Sequence, residues 1–240
     1  MNRAAACLAY LDNGVTVDAV SGLPEFFANE GVEVTTYRSF DGAFPTDPAA
    51  YDGILLSGSG LSAYNDIPFI HREHGFIQEA AEAGTAMLGL CFGSQILASA
   101  LCGGDQVFRR ASCEVGHAML SMLEPAATDA LAGGCESRER MFVWHNDEVR
   151  ADHGDMVVLA ATAKCPNHIW RFRDQHIWGI QGHPELTRAN AREWIGKSAN
   201  ALRKDGADPE QLIRETEDSM AGLGMLRKFA HICKKAANSK

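Results

Sequence analysis

Through the first hundred residues, short apolar runs ending in Gly or Asp alternate with stretches whose apolar positions recur at helical spacing. AACLAYLD reads as a strand, GLPEFFANEG as a helix closed by Gly31, and VEVTTYRSF as a second strand. YDGILLSGSG is a third strand that runs into a glycine-rich loop, and HREHGFIQEAAEAG is the helix after it. TAMLGL is a fourth, fully apolar strand, followed by the helix GSQILASALCG. This rhythm predicts parallel strands joined by crossover helices. In such open sheets the ligand crevice lies beyond the carboxyl ends of the strands. Cys91 stands at one of those ends, where the fourth strand hands over to a helix.

From residue 106 the texture changes to strand-like pieces: QVFRR, HAMLSML, RMFVWHNDEV, DMVVLAAT, HIWRFRD and HIWGIQG. They are expected to extend the sheet and to add an antiparallel flap. After HPELT the pattern is helical again, in RANAREWIGKSANALRKDG and in PEQLIRETEDSMAGLGMLRKFAHICKKAANSK, parted near Gly206 and Pro209. The closing AANSK is expected to fray. No internal repeat or low-complexity linker interrupts the chain. The expected fold is α/β: an open, mostly parallel sheet flanked by helices over residues 1–190, with a helical extension over 191–240 packed on or beside it.

Composition sharpens this picture at a few points. With 240 residues and 46% hydrophobic content, the chain can bury a sizeable core as one large domain or one domain with an appendage. A formal net charge of −9 lends no support to a nucleic acid or an anionic membrane as partner. No uninterrupted apolar segment reaches the roughly 20 residues that span a bilayer. Seven cysteines without a CxxC pair fit a disulfide framework poorly, so reduced thiols and a cytoplasmic location are expected. MNRAAACLAYLDNGV holds a basic residue and a short apolar run, but Asp12 ends that run early, and it reads as a first strand rather than a signal peptide. The pairs His71/His74 and His145/His153 lack a second ligand set at zinc-like spacing, and LSGSGLS lacks the lysine of a phosphate-binding loop. No metal and no cofactor is therefore expected. The basic amphipathic MLRKFAHICKK suits a packed or partner-facing helix better than a membrane anchor.

Gly89-Leu90-Cys91-Phe92-Gly93 has the spacing of a nucleophile elbow, a strand-to-helix turn that strains the central residue and needs small neighbours. A sulfur at a helix N-terminus is also biased toward the thiolate by the first N–H groups. A glycine-flanked core cysteine has the same pattern, so spacing alone leaves both readings open. A thiol nucleophile needs a base, and the base needs an orienting group. WGIQGHPEL supplies a candidate pair, because Pro184 stiffens the turn that carries His183 and Glu185. One of nine histidines, His183 is by itself as compatible with a structural role as with catalysis.

Taken together and in order, GILLSGSG, GLCFGSQ, WHND and GIQGHPE resemble the class I (triad) glutamine amidotransferase domain. The resemblance is nearest to stand-alone proteins similar to the glutaminase part of GMP synthase, a group that includes gamma-glutamyl peptide hydrolases. KCPNHIWRF fits the same subgroup. The likeness covers residues 50–187 well and the first strand and helix loosely. It implies a flavodoxin-like fold and a catalytic triad of Cys91, His183 and Glu185. It further implies an oxyanion hole from the N–H of Phe92 and from the loop at Gly58 and Ser59, with Gln95 facing the substrate. The segment Trp144, His145, Asn146 and Asp147 matches the one that recognises the substrate's α-amino and α-carboxylate groups through its backbone.

Three positions depart from the family pattern: Ser59 and Asn146 replace usual glycines, and Gly182 replaces a usual aromatic. A Cβ at Ser59 narrows its backbone freedom. The volume vacated at Gly182 is expected to widen the pocket toward substrates bulkier than glutamine. The implied substrate is a small molecule, glutamine or a γ-glutamyl compound. Three functions stay in play: a glutaminase feeding ammonia to a separate synthase subunit, a self-sufficient γ-glutamyl conjugate hydrolase, and a catalytically silent binding or regulatory module. An oligomer is compatible with each.

Overall fold

The parallel half of the sheet is built from β1 (Ala6–Leu11), β2 (Val32–Tyr37), β3 (Gly53–Leu56) and β4 (Met87–Leu90). The computed structural model describes residues 5–15 and 22–239. Helices α1 (Leu23–Asn29) and α2 (Pro68–Glu82) make two of the crossovers, and α3 (Phe92–Cys102) leaves directly from the end of β4. The chain continues through β5 (Val107–Met122), β6 (Arg138–Val149), β7 (Met156–Ala161), β8 (Ile169–Phe172) and β9 (Ile177–Ile180). Among the described residues these form one nine-stranded sheet in the order β2-β1-β3-β4-β9-β8-β7-β5-β6. β9 joins β4 in parallel, with Leu90 opposite Ile180. The pairings from β9 outward to β6 are antiparallel. The expected mostly parallel sheet with an antiparallel addition is what forms.

Both faces of the central strands are covered, which is why their sequences are continuously apolar rather than alternating. Side chains still divide by the two-residue period of a strand. Leu8, Tyr10, Leu55, Leu88 and Leu90 point into one core with Phe27 of α1. Ala9, Leu11, Ile54, Leu56 and Met87 point into the other, with Ile77 of α2 and Phe92 and Ile96 of α3.

The C-terminal region forms four helices rather than two: α4 (Arg188–Lys197), α5 (Ala199–Lys204), α6 (Pro209–Glu215) and α7 (Met220–Ser239). Ser198 leaves helical geometry between α4 and α5. Ser219 ends the gap after α6 by accepting the Gly222 N–H at 3.2 Å. Helices α4 to α6 share a small core with Phe142 of β6 through Ile195, Leu202 and Leu212. α7 returns to the first core, burying Met225, Leu226, Phe229 and Cys233. Residues 236–239 of AANSK, expected to fray, are helical: α7 runs to Ser239, and Lys234 Nζ donates to Glu30 O at 2.6 Å. Lys240 lies outside the described residues. QVFRR and HAMLSML, read as separate strands, belong to the single long β5, whose register against β6 shifts between Arg109 and Glu114. All seven cysteines are free thiols. Among the described residues, no helix is long and apolar enough to cross a membrane.

Candidate active site

Cys91 joins β4 to α3 at φ 52° and ψ −107°, and only it and Arg173 among the described non-glycine residues have positive φ. A conformation of this kind costs on the order of 1–3 kcal/mol and persists only when its surroundings impose it. The imposition is visible on both sides. The Cys91 N–H is held by Ile180 O of β9 at 2.8 Å. A Cβ on Gly89 would stand 2.3 Å from Gly93 O, and one on Gly93 would stand 2.2 Å from Leu56 O. The flanking glycines are therefore what lets α3 press against β4 and β3. No side chain caps α3, so the main-chain N–H of Phe92, its first residue, belongs to an uncapped helix N-terminus able to receive an anion. The buried Cys91 Sγ lies 3.8 Å from Trp144 O of β6 and 3.8 Å from Gln181 Nε2.

His183 follows β9, and its N–H donates to Phe142 O at 2.8 Å. Its Nδ1 meets Glu185 Oε1 at 2.9 Å, with both side chains about nine-tenths buried. Pro184 between them packs against the first turn of α7 so closely that a Cβ on Gly222 would be 2.7 Å from Pro184 Cα. Burial opposes charge on the imidazole. The Glu185 carboxylate beside it, with Cys91 nearby, outweighs that burial and holds His183 well above its ordinary value of 6.5. The two groups converge on the loop after β3, where a Cβ on Gly58 would lie 3.5 Å from His183 Cε1 and 3.6 Å from Cys91 Cβ. These are ordinary contacts, so Gly58→Ala is expected to fold with less than about 1 kcal/mol of lost stability. Its methyl enters the space between Cys91 and His183, and any turnover that uses both groups is expected to fall at least about tenfold in kcat/KM. Steady-state kinetics beside a thermal melt separates the two effects.

The loop itself is anchored at both ends. Ser57 Oγ accepts the Asn13 N–H at 2.9 Å and donates to Gly58 O at 3.1 Å. Ser62 and Tyr64 donate their hydroxyls to the Asp147 carboxylate at 2.5 and 3.0 Å, tying the loop to β6. Ser59 is half-buried and its Oγ accepts the Leu61 N–H at 3.3 Å. Because Ser59 has no positive φ, its Cβ imposes none of the strain that the departure from glycine suggested. The same holds for Asn146, which sits in extended β6 opposite the irregular stretch of β5.

The remaining expected residues fall at graded distances from the sulfur. Gln95 is buried one step behind it, with Nε2 donating to Asp147 O at 3.0 Å and to Gln181 Oε1 at 3.2 Å. Trp144 presents its carbonyl to the sulfur. His145 is a framework residue, with Nδ1 facing Asp147 O at 2.8 Å and Nε2 facing Glu114 Oε2 at 3.1 Å. Asp147 turns its carboxylate to the loop clasp and to Arg109 at 3.4 Å. The pocket widening expected at Gly182 does not arise. Its missing side chain is replaced by Met141 and His168, whose Sδ and Cε1 would stand 2.7 and 3.0 Å from a Cβ there. Burial, with His145 and His183 nearby, pushes the His168 imidazole down to about 3, against the opposing charge of Glu114.

Two site residues have no counterpart among the sequence expectations. Gln181 is a fully buried amide in an otherwise apolar strand end, and that polarity beside His183 is a readable signal. Trp194 of α4 stacks edge-on to His183 with centroids 5.0 Å apart and packs on Trp144 at 4.8 Å. Nothing local in REWIGKS marks it, because its place depends on how α4 folds back over β6.

Comparison with known proteins points one way. The family model "Glutamine amidotransferase class-I" matches residues 11–197. Gamma-glutamyl-L-1-hydroxyisopropylamide hydrolase of Pseudomonas sp is 32% identical over 79% of this chain and 68% of that protein. Gamma-glutamyl peptidase 5 of Arabidopsis thaliana is 28% identical over 80% of this chain and 78% of its own length. The glutamine-hydrolysing GMP synthase of Porphyromonas gingivalis is 30% identical over 73% of this chain but only 33% of the synthase. A crystallised glutamine amidotransferase from Thermotoga maritima shares the fold with a TM-score of 0.83, over 97% of this chain and 100% of that one, at 20% identity.

Proposed function

The chain belongs to the glutamine amidotransferase class-I family, and from that premise we propose that Cys91, His183 and Glu185 form a catalytic triad that hydrolyses a γ-glutamyl amide through a γ-glutamyl thioester. The observation that carries the reading is the convergence at Gly58 of a strained cysteine on a helix N-terminus and an imidazole held by a carboxylate. The Cys91 sulfur attacks the amide carbon, and the tetrahedral oxyanion is received by the Phe92 N–H and by the main chain at Gly58 and Ser59. Preorganised donors of this kind are worth about 3–4 kcal/mol each in the transition state. His183 gives its proton to the leaving nitrogen and afterwards takes one from the water that cleaves the thioester. Glu185 fixes the ring so that Nε2 is the nitrogen presented to the reaction. Gln95 and Gln181 position the sulfur and β6 from behind. Only the main chain of the Trp144–Asp147 segment, not its side chains, is assigned to the amino-acid end of the substrate.

With glutamine as substrate the leaving group is ammonia, which a separate synthase subunit would accept. A second reading, hydrolysis of γ-glutamyl conjugates without an acceptor, is favoured by where the similarity runs. It spans 68% and 78% of relatives named as a γ-glutamyl amide hydrolase and a γ-glutamyl peptidase, against 33% of a synthase. Either way the chemistry at Cys91 is the same. The test is to incubate wild type and Cys91→Ala with glutamine and with γ-glutamyl amides while following glutamate, ammonia and the intact protein mass. The expected result is glutamate release and an acyl adduct on Cys91 of the wild type alone. No release and no adduct from any of these substrates would instead leave a silent binding module.

A further inference from the structure

Aromatic rings pack around the His183 imidazole. Trp194 meets the imidazole edge-on at 5.0 Å and Phe142 lies at 6.5 Å, while Trp144 packs on Trp194 at 4.8 Å. Phe142 is buried, whereas Trp144 and Trp194 are half-buried, packed on the small core around Phe142 and Ile195. Trp144 is fixed from both ends: its carbonyl lies 3.8 Å from Cys91 Sγ, and its indole N–H donates to Asp205 Oδ2 at 3.3 Å. Asp205 is exposed, where α5 ends.

We propose that Trp144 and Trp194 form the leaving-group subsite, which selects γ-glutamyl amides whose amine carries an uncharged apolar substituent. The proposal rests on the triad reading, since it is the proton from His183 that the departing nitrogen takes. That nitrogen leaves on the His183 side, and whatever it carries meets the indoles. Ammonia has nothing to place against two tryptophans, whereas an alkyl or aryl group gains apolar contact there. A leaving group with its own carboxylate, as in a γ-glutamyl peptide, brings that charge toward the Asp205 carboxylate and is disfavoured. The balance is simple: the C–S bond forms as the C–N bond breaks, and the His183 proton leaves with the nitrogen as a free amine. Water then forms the C–O bond and breaks the C–S bond, and its proton returns to His183. No further reactant is needed.

Steady-state kinetics with glutamine, γ-glutamyl isopropylamide, γ-glutamyl anilide and γ-glutamylglycine, following glutamate, tests this. Wild type is expected to favour the isopropylamide and anilide over glutamine and γ-glutamylglycine by at least about tenfold in kcat/KM. Trp194→Ala is expected to bring that ratio toward unity, and Trp194→Phe to retain most of it. A purely structural role for the indole would lower all four substrates in proportion. Such a parallel loss, or a wild type that handles glutamine or γ-glutamylglycine as well as the apolar amides, overturns the subsite while leaving an acylated Cys91 in place. Absence of any acyl-enzyme with all four overturns the triad reading and the subsite with it. Should Trp194→Ala not fold, the wild-type ranking alone decides.

Discussion

Cys91→Gly is expected to give a protein with no measurable hydrolysis and a higher unfolding midpoint than the wild type. On the proposed mechanism, loss of Cys91 removes the covalent route, a loss of at least about 10⁴-fold in kcat by analogy with the deletion of other catalytic nucleophiles. The gain in stability comes from the backbone. At φ 52° and ψ −107° a side chain is strained, and glycine is not. Relief of about 1–3 kcal/mol, less the backbone entropy that glycine loses on folding, leaves about 1 kcal/mol of net stabilisation. For a chain of this size that corresponds to a few degrees in melting temperature, about 2–4 °C. Cys91→Ala is the control, since it removes the sulfur but keeps a Cβ on the same backbone, and is expected to be equally inactive with no such gain. A glycine variant no more stable than the alanine variant would place the strain elsewhere. Hydrolysis by the alanine variant would remove Cys91 from the chemistry altogether. The opposed signs of activity and stability are what a residue held for function is expected to show.

The elements that sequence made legible are those whose signal is local. Central strands buried on both faces read as apolar runs, and GLPEFFANEG and GSQILASALCG carried their own stops in Gly31 and Gly103. The elbow was legible because two glycines and a cysteine answer one steric problem within five residues. What escaped was set at a distance. Gly182 looked like vacated pocket, but its volume is filled by Met141 from β6 and by His168 just before β8, which no inspection of GIQGHPE discloses. The long helical tail read as two pieces because Ser198 and the Thr216–Ser219 gap carry neither the glycine nor the proline that marks a break. Ser219 breaks the pattern by bonding to Arg140 O at 3.1 Å, a contact nearly eighty residues away. Trp194 was invisible for the same reason. The family resemblance implied substrate-facing roles for Gln95 and Trp144–Asp147, and the geometry divides that set into groups at the sulfur and groups that brace it.

Glu185→Gln is expected to lower kcat/KM by about 10²–10⁴-fold and to move the basic limb of its pH profile downward. In the free enzyme that limb reports loss of the proton carried by the catalytic acid. Burial alone would push the His183 proton off below pH 6.5, but the Glu185 charge and Cys91 hold it to well above that value. The wild-type limb is therefore expected well on the alkaline side of 6.5, while the Glu185→Gln variant, lacking the charge, leaves burial opposed by Cys91 alone. Stability follows the same sign. A histidine whose folded value lies above its unfolded value of about 6.5 contributes stability that is fully present below that pH and is lost as pH rises through the folded value. Urea unfolding on either side of about pH 6.5 should show this alkaline loss in wild type and a flatter profile in Glu185→Gln. An unshifted basic limb in the variant would mean that Glu185 holds the ring in place without tuning its proton. Unchanged kcat/KM would remove it from the triad. The two measurements separate orientation from electrostatics, because a neutral isostere that still bonds Nδ1 preserves the first and deletes the second.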